Sequence, residues 1–118
     1  MPALNFQKQF VDPIKCGDKS QTIRSTRKNP IKKGDTLYLY TGMRTKSCEK
    51  IGVVLCKDVL NFKIQGDGLG CEIEQTPVYY MDHLNRIATE DGFEDWIEMV
   101  HWFVDTHGLP FKGNIIYW

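Results

Sequence analysis

The sequence predicts an α+β fold: a small β-barrel, closed or nearly closed, flanked by helices. Three observations carry this expectation. Short runs of alternating or β-branched residues recur through the first two thirds of the chain. The apolar spacing turns helical after residue 80. A last β-rich run, around Ile115, Ile116 and Tyr117, ends the chain. Closing a barrel removes the exposed edges that many short strands would leave. A two-layer α+β sheet is the alternative that the pattern leaves open. At 118 residues the chain reads as one domain, 1–118.

Each element follows from local chemistry. Ala3 to Phe6 reads as a first strand. Phe10 to Ile14 suits one helical turn, which Pro13 keeps short and Gly17 ends. Gln21 to Arg24 leaves that turn as a short strand, and Arg27 to Lys33 is a loop stiffened by Pro30. Gly34-Asp35 turns into Thr36–Thr41, with Leu37 and Leu39 on one face and Tyr38 and Tyr40 on the other. After the polar loop Gly42–Lys50, Ile51–Val59 and Leu60–Gln65 read as two more barrel strands. Gly66–Gly70 is a flexible connection, and Cys71–Glu74 and Val78–Tyr80 are further short strands. Met81, Leu84, Ile87 and Ala88 share a helical face. Phe93, Trp96, Ile97, Val100, Phe103 and Val104 form the stripe of an amphipathic helix over about 93–107. Glu94 and Asp95 suit its N-terminus, and Gly108 with Pro110 suits its end.

Composition bounds the class. Hydrophobic residues make up 42% and charged residues 25%, as in a soluble globular protein. No apolar run approaches the ~20 residues of a membrane helix, and the N-terminus lacks the blocks of a signal peptide. A cytoplasmic protein with no membrane partner is expected. Four widely spaced cysteines and three histidines make no zinc spacing, so free thiols, no metal and no cofactor are expected. The net charge is zero but uneven. Residues 1–50 hold eleven Lys or Arg against four acids, net +7; residues 51–118 hold four against eleven, net −7. The basic half is where a polyanion is expected. The acidic half is a candidate surface for a protein partner.

The basic charge concentrates around Gly17-Asp18-Lys19-Ser20-Gln21-Thr22-Ile23-Arg24, followed by Arg27 and Lys28. In a strand, Thr22 and Arg24 share a face, and Lys19 joins them only if it sits in the turn before the strand. A hydroxyl beside an arginine, with a lysine at the turn, suits a phosphate or a polar base edge. Arg44, in a loop after a strand, has a guanidinium suited to phosphate. Tyr40 and Tyr38 could offer a stacking face. Trp96 reads as core and His107 as a helix-end residue.

Gly17-x-Lys19-x-x-Thr22-Ile23-Arg24, then Gly34-Asp35 opening a strand, then Asp91-Gly92-Phe93 opening a helix, resembles the ASCH domain of the PUA-like superfamily. His107-Gly108-Leu109-Pro110-Phe111, closing on Ile115-Ile116-Tyr117-Trp118, resembles the end of small bacterial and phage members. The resemblance implies a PUA-like barrel whose cleft takes RNA or a modified nucleoside. Some members hydrolyse the acetyl amide of N4-acetylcytidine, some are ribonucleases, and many have no assigned activity. In the amidohydrolase branch a lysine, a threonine and a glutamate act. The resemblance therefore implies Lys19, Thr22 and Asp91 as the catalytic set, with Glu90 the alternative carboxylate; the charge and placement of the residues give Arg24, Arg27, Lys28, Arg44 and Tyr40 as the expected nucleic-acid contacts. The alternative is a non-catalytic RNA-binding or protein-interaction module.

Overall fold

The computed structural model describes residues 2–118. Among them are eight strands and three α-helices: β1 (Ala3–Phe6), α1 (Val11–Cys16), β2 (Gln21–Ser25), β3 (Thr36–Thr41), β4 (Glu49–Leu55), β5 (Asp58–Ile64), β6 (Cys71–Ile73), β7 (Thr76–Val78), α2 (Met81–Glu90), α3 (Trp96–Thr106) and β8 (Phe111–Tyr117). The barrel expected from sequence is not formed. The strands divide into a three-stranded sheet, β1-β3-β4, and a five-stranded sheet, β2-β8-β5-β6-β7. No described helix is long and apolar enough to cross a membrane.

Apolar side chains alternate along the larger sheet and divide between two cores. In β8, Ile115 points to one face and Ile116 to the other. Ile115, Phe62, Ile64 and Ile23 pack with Leu84, Ala88, Trp96, Met99 and Phe103 of α2 and α3. Ile116, with Val59 and Trp118 beside it, packs instead with Leu4, Phe6, Leu37 and Leu39 of the smaller sheet. The larger sheet is thus covered on both faces, in a layered arrangement of sheet, sheet and helices.

The sheets are joined at one corner. The expected single strand Ile51–Val59 breaks at Cys56-Lys57, where the chain passes from one sheet to the other. Cys56 N–H donates to Asp35 O (2.8 Å) and Lys57 N–H to Tyr117 O (2.8 Å). At the other side, β1 and β2 do not pair. Tyr38 N–H donates to Pro2 O (3.0 Å), so the even-numbered backbone groups of β1 meet β3 and the carbonyls of Ala3 and Asn5 face the open edge. They accept from Arg27 Nη2 (3.2 Å) and Arg24 Nη2 (2.5 Å). On the facing edge of β2, Ile23 N–H donates to Asp91 Oδ1 (3.1 Å). Charged side chains stand where strand pairing would have closed the barrel.

Two local differences from the sequence reading have simple causes. β7 begins at Thr76, not Val78, because Glu74 and Gln75 take positive φ (51° and 69°) in a two-residue hairpin turn without its usual glycine. The helical segment divides: α2 ends at Asp91, and α3 starts at Trp96, with Asp95 Oδ1 accepting from Glu98 N–H (2.8 Å) as its N-cap. Asp91-Gly92-Phe93 therefore closes one helix and does not open the next. The buried face of α3 is Trp96, Met99 and Phe103, while Ile97 and Val104 of the expected stripe are exposed.

Candidate functional site

The open seam between β1 and β2 leads into a cleft of about 530 Å³, bounded by β1, β2, α3 and the turn after α2. Its floor is set by how α1 ends. Gly17 takes the left-handed conformation (φ 87°), and Lys19 N–H donates back to Pro13 O (3.0 Å). Lys19 is therefore held in the reversal before β2, as the catalytic scheme requires, and its side chain enters the interior. Only 4% of Lys19 is exposed. Its Nζ donates to Asp91 O (2.6 Å) and Oδ1 (3.2 Å). It also lies 5.0 Å from the ring centre of Phe10 and 5.9 Å from that of Phe6. This is the one ion pair among the described residues.

Asp91 reaches Lys19 because it caps α2 and Gly92 then turns the chain with φ 102°. A side chain at Gly92 would run into the Phe10 ring, so glycine lets Phe10 close against the ion pair. Asp91 is the carboxylate held here. Glu90, its alternative, is exposed and does not line the cleft.

Burial governs the electrostatics. Desolvation draws the Lys19 ammonium below its ordinary value, Asp91 opposes this, and the nearby Arg24 charge adds to it. Desolvation pushes the Asp91 carboxyl up, against the pull of Lys19, Ile23 N–H and Arg24. Burial thus disfavours the charged form of both groups, and each opposes that shift in the other. Burial also lowers Arg24, which keeps its charge at any working pH.

Thr22 and Arg24 share the cleft face of β2, as parity requires. Arg24 Nε donates to Thr22 Oγ1 (3.1 Å), and its guanidinium lies 4.7 Å from the Phe6 ring centre. The Thr22 hydroxyl thus accepts from Arg24 at the cleft face of β2. Among the described residues Lys19 Nζ and Thr22 Oγ1 line the same cleft without hydrogen-bonding each other.

Lys19, Thr22, Asp91, Arg24 and Arg27 are brought together. Lys28, Arg44 and Tyr40 lie outside the cleft lining. Tyr40 sits on the outer face of the smaller sheet, opposite Leu37 and Leu39. Arg44 follows Met43, whose N–H donates to Asn5 Oδ1 (2.9 Å), so its loop flanks the cleft without entering it. The basic residues expected to contact nucleic acid are therefore divided between the cleft and its surroundings, and Lys19 is withdrawn into the interior.

The aromatic wall was not legible as such. Phe93 and Trp102 line the cleft with ring centres 5.9 Å apart, and Trp102 is 38% exposed. His107 stands at the cleft 5.8 Å from Trp102 and ends α3 as expected. Glu98 adds a carboxylate, one oxygen of which accepts from Glu94 N–H (3.1 Å). The available signal was Glu98-x-x-x-Trp102, one helical turn lying beside the buried face 96, 99 and 103. No three His, Cys, Asp or Glu side chains gather as a metal site would need, among the described residues. Comparison with protein-family models, with curated proteins and with solved structures finds no match for this chain.

Proposed function

We propose that the chain is an ASCH-type hydrolase acting on an acyl amide borne by the exocyclic amine of a nucleoside base, with N4-acetylcytidine as the model substrate. The observation that carries this reading is the meeting of Lys19 and Asp91, 72 residues apart, on the floor of a cleft they share with Thr22 and Arg24. A cleft of about 530 Å³ falls within the size range of small-molecule sites. Phe93 and Trp102 supply a face for a base to stack on. The four cysteines are free, two of them exposed, which fits a reducing cytoplasm.

In this mechanism Thr22 Oγ attacks the acyl carbon and its proton passes to neutral Lys19. Asp91 holds Lys19 in place and buffers its charge. The tetrahedral adduct collapses, the C–N bond breaks, and the base amine leaves with the proton from Lys19. Water, deprotonated by Lys19, then cleaves the acyl-threonine ester and releases the carboxylic acid. Substrate binding must bring Lys19 and Thr22 into contact, since catalytic hydrogen bonds commonly tighten only in the complex.

The test is to incubate wild type, Lys19→Ala and Thr22→Ala with N4-acetylcytidine and, separately, with a short RNA. Acetate release by wild type, reduced about 100-fold or more in both variants, is expected. Full activity in both variants would place the chemistry elsewhere. RNA binding without turnover of either substrate would leave the binding-module reading in its place.

A further inference from the structure

We propose that the cleft takes a phosphorylated nucleoside, with Arg24, Ser25 and Arg27 forming a subsite for a terminal phosphate. The inference rests on the nucleoside-directed reading above and narrows its substrate class to nucleotides.

Three features of the open seam support it. First, the two guanidiniums have no carboxylate partner. Among the described residues Asp91 is the one acid in an ion pair, and that pair is made with Lys19. Second, both guanidiniums already hydrogen-bond the protein at the seam. Arg24 is tied to Thr22 Oγ1 and Asn5 O and lies over Phe6, and Arg27 is tied to Ala3 O. A guanidinium carries five N–H donors, so donors remain on each after these bonds. Holding Arg24 in place lowers the ordering cost that a surface arginine would bring to binding. Third, Ser25 lies between them in sequence and lines the same cleft, adding a hydroxyl.

A phosphate monoester presents three acceptor oxygens and up to two negative charges, which this donor set suits better than a single carboxylate does. Glu98 disfavours an anion at the α3 wall, so the phosphate goes to the β1–β2 end and the base to the aromatic wall. The cleft volume suits one nucleotide, and Lys28 and Arg44, which a longer strand would need, are not part of it.

The experiment measures binding by calorimetry at low salt, using cytidine, cytidine 5′-monophosphate, cytidine 3′-monophosphate and a short single-stranded RNA. One of the monophosphates is expected to bind about ten- to a hundredfold more tightly than cytidine. In Arg27→Ala that ratio should fall toward one, and Arg27→Lys should recover part of it. Equal affinity for cytidine and both monophosphates would overturn the proposal, as would a ratio unchanged in Arg27→Ala. An RNA bound far more tightly than either mononucleotide would also overturn it, in favour of a strand-binding groove. Binding is read without turnover, so a failed amide hydrolysis leaves this measurement intact. A hydrolase indifferent to the phosphate would instead keep the function and lose the subsite.

Discussion

The two sheets approach each other at two places, and the two are built from different material. At the Cys56-Lys57 corner the chain itself crosses, and backbone hydrogen bonds to Asp35 and Tyr117 complete the join. At the β1–β2 seam no backbone pairing is made. Arg24 and Arg27 satisfy the carbonyls of β1, and Asp91 satisfies an amide of β2. A join made of backbone is indifferent to side-chain identity. A join made of charged side chains is chemically specific and leaves room for a ligand. The candidate site exists because the barrel stops short there.

The largest break in this comparison is expected from Asp91→Ala. It strands the buried Lys19 ammonium and orphans Ile23 N–H, and should cost about 3–5 kcal/mol in urea unfolding. Asp91 also gives the seam a pH signature. Its folded value lies above the ordinary 3.8. As pH rises from the unfolded value through the folded one, the native state keeps a proton that the unfolded chain has lost, so stability falls across that window. Lys19, lowered from 10.5, acts in the opposite sense. Above its folded value the unfolded chain holds the extra proton, and stability rises with pH toward 10.5. The fall on the acid side should be present in wild type and absent in Asp91→Asn when unfolding midpoints are compared pH by pH. The same fall in both proteins would assign it to other carboxylates.

Gly92→Ala ranks next. It combines an unfavourable positive φ with a clash against Phe10 and should cost about 2 kcal/mol. A thermal midpoint equal to wild type would show that Phe10 does not close on the ion pair. Arg24→Ala removes the hydrogen bonds to Thr22 and Asn5 and should cost about 1–2 kcal/mol. The smallest effect belongs to the corner. Lys57→Ala keeps the backbone bond to Tyr117 and should stay within about 0.5 kcal/mol of wild type. A loss there as large as at Arg24 would erase the distinction between the two joins.

Much of this was legible from local chemistry. Thr36–Thr41 falls where its alternation placed it, Ala3–Phe6 forms the expected first strand, and Gly17 ends α1 in the conformation its lack of a side chain allows. Parity put Thr22 and Arg24 on one face and required Lys19 to precede the strand, as it does. These are properties of a few neighbouring residues, and sterics and periodicity decide them.

Long-range packing decided the rest. Alternation in β8 shows that Ile115 and Ile116 face opposite ways, but not that both faces are covered, nor that β1 and β2 stay unpaired, which is what leaves the barrel open. The Lys19–Asp91 pair spans 72 residues, and no local signal measures such a distance. The sequence split into a basic and an acidic half, yet the cleft draws Lys19 and Arg24 from the first and Asp91 and Glu98 from the second. Which residues carry charge is written in the chain. Which charges meet out of water depends on how the sheets and helices stack, because burial is set by the whole fold and not by any one stretch of it.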